Sequence, residues 1–135
     1  MARGRKPTLK PVDGALRRVP VAPRNLTDEA KAEWRRVAPD LVRRKVLTVD
    51  NLSLLESYAM AIGMVKISAD TLRVEGHAVP TAKGGMQRHP AVQTMREFMC
   101  EGRRLAAELG LTPTSRNKVG APTEDQDDDL ADLGV

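Results

Sequence analysis

The sequence predicts a mainly α-helical fold, with three principal helices at about 27–46, 48–75 and 90–109. Three observations carry this. Apolar residues recur at helical spacing in each stretch. Each stretch opens on a helix-start signal, and the last two close on glycine. The chain of 135 residues holds one Trp, one Tyr and one Phe, so its core rests on Leu, Val, Ile, Met and Ala. Strands are enriched in aromatic and β-branched residues, so this composition favours helices. The length suits a single small domain.

In the first helix Thr27 is a good N-cap, and Asp28 and Glu29 suit the positive end of the helix dipole. Ala30, Trp34, Val37 and Leu41 form the apolar line, with Arg35, Arg36, Arg43, Arg44 and Lys45 lying off it. Pro39 falls inside, so a kink is expected rather than two helices.

Thr48 caps the second helix, with Asp50 in its first turn, and Gly76 stops it. It carries two apolar stripes. One is Leu52, Leu55, Ala59 and Ile62, continuing through Ala69; the other is Leu54, Tyr58, Ala61, Val65 and Leu72. A surface helix of a monomer needs one apolar face. Two stripes make the helix central to the core or turn one stripe toward another subunit. With only two other strong helices to cover it, the second stripe is expected at a homo-oligomer interface. Gly63 costs about 1 kcal/mol relative to Ala mid-helix, which suggests close backbone packing.

The stretch "GHAVPTAKGGMQRHP" follows. Its Lys83-Gly84-Gly85 turn suits either a short β-hairpin at 77–88 or an ordered loop, and Pro80 confines any strand there to an edge. His77 and His89 read as loop and capping residues. Pro90 is placed at the first position of the third helix. Ala91, Met95, Phe98, Gly102, Leu105 and Leu109 form its apolar line, with Val92, Met99 and Ala106 beside it. Gly110 can close this helix in the left-handed conformation, with Leu111 folding back on it. Thr112 and Pro113 then start a short helical turn at 112–118. That turn either docks the chain on the third helix or, with Arg116 and Lys118, offers an anion site.

Charge is distributed unevenly. Residues 1–25 carry Arg3, Arg5, Lys6, Lys10, Arg17, Arg18 and Arg24 against Asp13 alone. Residues 121–135 carry six acids (Glu124, Asp125, Asp127, Asp128, Asp129 and Asp132) and no base. Neither end has apolar periodicity, and four prolines keep the first extended. The chain divides into a basic flexible arm (1–25), a helical oligomerisation domain (26–120) and an acidic flexible tail (121–135). The arm's seven bases are the first choice for DNA contact. Arg35, Arg36, Arg43, Arg44, Arg116 and Lys118 are the second.

Scarcity of aromatics argues against single-strand binding by base stacking. No nucleophile–base pair or phosphate-binding loop is visible, so an enzyme is not expected. Two histidines and one cysteine are too few for zinc, and no cofactor is expected. Cys100, among Phe98, Met99 and Leu105, is expected to be partly buried and inert. No apolar run has the length of a membrane span, and a reduced, intracellular setting is expected.

The segments "GRKPTLKPVDG", "LTDEAKAEWRRVAPDL", "LTVDNLSLLESYA", "GGMQRHPAV" and "LAAELGLTPTSRNKV" occur in that order. Over residues 3–119 this pattern resembles the terminase small subunit of tailed double-stranded-DNA bacteriophages. The closing "LGLTP" motif and the preceding His-Pro helix start are its strongest elements. The resemblance implies a non-catalytic protein of the host cell cytoplasm. It implies a homo-oligomeric ring that recognises the packaging site on viral DNA and delivers it to the large terminase subunit. Many such proteins carry an N-terminal helix-turn-helix, but these first 25 residues are too rich in proline to build one. The residues by themselves also suit a dimeric DNA-binding regulator or a protein-interaction adaptor.

Overall fold

The computed structural model describes residues 14–117. The chain runs through α1 (Asp28–Arg43), a 3-10 turn (Val49–Asn51), α2 (Leu52–Glu75), strands β1 (Ala78–Pro80) and β2 (Met86–Arg88), α3 (Pro90–Glu108) and the short α4 (Pro113–Arg116). The mainly helical reading with a hairpin holds. The flexibility expected of residues 1–13 and of the acidic tail lies outside the described residues.

Helix α1 starts as its sequence suggests, with Thr27 Oγ1 accepting from Ala30 N at 3.2 Å. It runs through Pro39 as one element. It stops at Arg43, three residues short of the expected end. Val46 N–H returns to Leu41 O at 3.1 Å and Lys45 N–H to Val42 O at 3.0 Å. This crossed pair normally places glycine at the left-handed position. Here Lys45 takes it, with φ 58°. No glycine marks the stop, so the sequence conceals it. The closure at α3 repeats the pattern: Leu111 N–H bonds Ala106 O at 2.8 Å, Gly110 N–H bonds Ala107 O at 3.1 Å, and Gly110 has φ 70°.

Helix α2 begins one turn later than expected, because residues 49–51 wind more tightly. Asn51 organises that turn. Its Oδ1 accepts from Thr48 N at 2.7 Å and its Nδ2 donates to Val46 O at 2.8 Å. Helix α2 then packs against both α1 and α3. Leu55 and Ala59 are fully buried with Leu26, Trp34, Val37, Leu41, Val46, Leu47, Tyr58 and Leu109. Gly63 explains itself here: a Cβ at that position would lie 2.9 Å from Ala30 Cβ and from Ala30 N. Gly102 lets α3 approach in the same way, its imagined Cβ meeting Ile62 Cδ1 at 3.1 Å.

Helix α1 opposes only the first part of α2. Its third residue, Ala30, faces Gly63, and Glu33 on its next turn reaches Lys66. Residues 67–75 continue beyond that level for about 13 Å at 1.5 Å per residue. Along this extension α2 runs beside α3, and Ser68 is its one buried residue. Val49–Glu75 is long and apolar enough to cross a membrane, which corrects the expectation that no such run exists. Its packing between α1 and α3, and the pairing of Lys66 with buried Glu33, fit a core helix better.

The extension ends in the β-hairpin. Ala78 pairs with Arg88, Val79 with Gln87 and Pro80 with Met86, antiparallel. A turn closed by Gly84 N to Thr81 O at 3.1 Å, with Gly84 at φ 88°, joins the strands. Thr81 N–H bonds Gly85 O at 2.8 Å and continues the ladder, so the loop proper is residues 82–84 with glycine at its left-handed position. His89 caps α3, its Nδ1 accepting from Ala91 N at 3.0 Å, while Nε2 lies 3.1 Å from Glu75 Oε2. The expected capping role is therefore what His89 performs.

Candidate nucleic-acid and assembly surfaces

The basic arm divides at Gly14. Arg3, Arg5, Lys6 and Lys10 lie outside the described residues, as does Lys118. From Gly14 on, the segment expected to be a flexible arm is held on the helices. Ala15 bridges Thr48, and Leu16 N–H donates to Leu47 O at 2.8 Å. Trp34, the sole tryptophan, donates its indole N–H to Pro20 O at 2.9 Å. Leu16 and Ala22 pack against the core. The missed signal was the apolar content of "ALRRVPVAPRNL", masked by its prolines. Arg17, Arg18 and Arg24 stay exposed on this strap.

The bases of α1 have different occupations. Arg35 is exposed and has no ion pair among the described residues. Arg36 is exposed but bonded to Glu33, and Arg43 is exposed but paired with Asp40. Arg44 is mostly covered. It donates to Gly110 O at 2.9 Å and lies 3.5 Å from Asp40, so it ties α1 to the end of α3. It serves the fold first. Arg116, at the end of α4, is exposed. In α4, Thr112 Oγ1 accepts from Ser115 N at 3.1 Å, so the turn satisfies one of its own free donors.

Sequence reasoning missed Glu33. It is buried at the edge of α1's apolar face, accepting from Tyr58 Oη at 2.8 Å and from Arg36 Nε at 3.0 Å, with Lys66 Nζ at 3.7 Å. Burial works against its charge, but the hydrogen bonds from Arg36 and Tyr58 outweigh it and hold the carboxyl below its usual range. Tyr58 is pushed up to about 12, by burial first and then by its bond to Glu33. The Glu33–Arg36 spacing hinted at a helix pair, but Tyr58 comes from 25 residues away and left no local signal.

The second apolar stripe of α2 splits along its length. Tyr58 and Ala61 are buried inside the chain, and Leu54 packs against the core. Tyr58 and Ala61 are therefore committed within the protomer, and Leu54 stays half-buried. Val65, just before the extension, and Leu72, on it, are also half-buried. Val74 on the extension is 69% exposed, Met86 of β2 66% and Met99 of α3 44%. Cys100 is exposed, contrary to expectation, because the inward line of α3 runs through Phe98 and Gly102 and leaves it outside. Among the described residues no group of His, Cys, Asp and Glu could hold a metal ion.

No curated protein and no solved structure matches the chain. A family model described as "Phage terminase, small subunit" matches residues 30–126, from the first turn of α1 through α4 and beyond, well over half of the sequence. The chain belongs to the phage terminase small subunits, and with them to phage DNA packaging.

Proposed function

We propose that this chain is a non-catalytic DNA-recognition subunit of a phage packaging apparatus. On this reading it assembles into a homo-oligomeric ring in the host cytoplasm, binds viral double-stranded DNA at the packaging site and delivers it to the large terminase subunit. The observation that carries the assembly is the half-covered extension. Val65, Leu72, Val74 and Met99 leave an apolar surface that a neighbouring copy would cover, and the isolated two-stranded hairpin gains from the same cover.

The DNA surface combines the strap's bases, which have no ion pair among the described residues, with the arm before it. Arg17, Arg18 and Arg24 are exposed and well placed, and Arg3, Arg5, Lys6 and Lys10 extend the positive charge. Arg35 and Arg116 are the strongest of the second set, since Arg44 is occupied within the fold. The oligomerisation domain then begins at Gly14 rather than at residue 26.

Native mass spectrometry tests the assembly. The expected mass is a closed ring of more than two subunits. A stable dimer would favour a regulator, and a monomer at micromolar concentration would exclude this reading. Fluorescence anisotropy across a salt series tests the arm. Deleting residues 1–13, which spares the docked strap, should flatten the log–log slope by about 0.9 for each lost phosphate contact. With ~3 contacts per bound subunit the change is about 2.7. Affinity should fall alike for cognate and random duplexes, because phosphate contacts position without specifying sequence.

A further inference from the structure

Both ends of the described chain meet one corner of the fold. Through the Ala15–Thr48 bridge and the Leu16–Leu47 hydrogen bond, the chain enters beside the connection from α1 to α2. Through Arg44, which donates to Gly110 O at 2.9 Å, the end of α3 is fixed against the end of α1. Helix α4 follows at once, and Asn117 is its last described neighbour. Arg43, Lys45 and Arg116 are exposed at this corner, with Arg44 beneath them. Asp40 is the acid that Arg43 and Arg44 share. Burial acts against the Asp40 carboxylate, but the hydrogen bond from Arg43 and the nearby charges of Arg43, Arg44 and, least, Arg116 hold its carboxyl below the usual range.

The sequence supplies a matching anion. Residues 121–135 contain six acids and no base, so no ion pair can form within that stretch. It begins four residues after Asn117. Even its first acid, Glu124, is within about 25 Å of chain reach from the corner. A short tether of this kind gives an effective concentration on the order of 1 mM. Single exposed ion pairs are weak and salt-screened, so docking needs several acids at once and several bases to receive them. The corner provides Arg43, Lys45 and Arg116, with Arg17 and Arg18 on the strap beside it.

We propose that the acidic stretch 121–135 docks on the basic corner of its own chain formed by Arg43, Lys45 and Arg116, and that double-stranded DNA displaces it. The displacement half rests on the DNA-binding reading above; the docking half does not. The acidic stretch then acts as an internal competitor. It weakens binding to arbitrary duplex while leaving sites with additional contacts able to win.

Zero-length carbodiimide crosslinking of the full chain, read by mass spectrometry, tests the docking directly, since Lys45 is the one lysine at the corner. Apart from the adjacent Lys118, links from residues 124–132 should fall on Lys45 several-fold more than on Lys31, Lys66 or Lys83. They should fade at about 1 M salt, where the screening length is about 3 Å. Links spread evenly over the lysines, or confined to Lys6 and Lys10 of the arm, would overturn the proposal. For displacement, truncation after Gly120 should raise affinity for a random duplex at low salt by about 2- to 6-fold, as a tether near 1 mM competing at sub-millimolar affinity requires. Added duplex should erase the Lys45 links. Lys45 links that persist under saturating duplex, or an unchanged affinity on truncation, would overturn the competition. If neither protein binds duplex, the DNA reading fails and the crosslinks alone decide the docking.

Discussion

The two halves of α2 differ in composition and in circumstance: Leu52–Gly63 carries one charged residue, Glu56, and Met64–Glu75 carries four. From Leu52 to Gly63 the helix lies between α1 and α3, and Leu55, Tyr58, Ala59, Ala61 and Gly63 are all buried. From Met64 to Glu75 it runs on beside α3, with Lys66 still reaching Glu33 of α1, and only Ser68 is buried. The inner face of the first half is closed within one chain, while Met60 on its outer side is 48% exposed. The second half, with the start of α3 and the hairpin, presents apolar residues that one chain leaves partly wet. The contrast shows that an apolar stripe read from sequence is not one surface: Tyr58 and Ala61 are buried in the protomer, and Val65 and Leu72 are left half-covered.

The sharpest way to break this contrast is to truncate one leucine from each half. Leu55→Ala removes a fully buried side chain and should cost about 2–5 kcal/mol in denaturant unfolding. Leu72→Ala, half-exposed, should cost about 1 kcal/mol or less in the isolated chain. Equal losses would mean that the extension has a core of its own.

Next in size comes the helix crossing. Gly63→Ala should destabilise by about 1–3 kcal/mol despite better helix propensity, since its Cβ meets the backbone of Ala30. Gly102→Ala meets the end of the Ile62 side chain, which can turn aside, and touches Ala61 Cβ at an ordinary 3.9 Å. Its thermal midpoint should change little.

Much of this was legible beforehand. Helix identities, the Gly110 closure, the His89 cap and the close approach at Gly63 all follow from local chemistry, and local chemistry is what a sequence displays. The end of α1 was not legible, because Lys45 occupies a conformation that its side chain disfavours. Nor was the docking of residues 14–25, whose anchors, Leu47 and Trp34, are distant in sequence. Of the candidate surfaces, the bases were visible, but not that Arg44 is committed to Gly110 or that Tyr58 is committed to Glu33. Long-range hydrogen bonds leave no periodicity to read.

The Glu33–Tyr58 pair gives a smaller, pH-dependent effect. Tyr58→Phe removes a hydrogen bond to a buried carboxylate and should cost about 1.5 kcal/mol at neutral pH. Glu33 has a lowered folded value. Its contribution is present above the ordinary carboxyl range and is lost as pH falls through the folded value. Tyr58 has a raised one. Its contribution is present below the ordinary tyrosine value near 10 and is lost as pH rises toward about 12. Unfolding midpoints measured between pH 9 and 12 should fall more steeply for the native sequence than for Tyr58→Phe.

The smallest effect is a gain. Lys45→Gly relieves the left-handed lysine at the end of α1 and should stabilise by about 1 kcal/mol. A loss on calorimetry would show that the Lys45 side chain contributes more than its backbone costs.

Amide hydrogen exchange along α2 decides whether the two halves differ as described, comparing the native protein with a Val74→Glu, Met99→Glu double variant. Both side chains are exposed in the single chain, so the changes disturb little unless a neighbouring copy covers them. Exchange in residues 64–75 should then quicken by about tenfold or more, while residues 52–63 stay as protected as before. Unchanged exchange in residues 64–75 would contradict cover by a second copy and leave the extension a free surface.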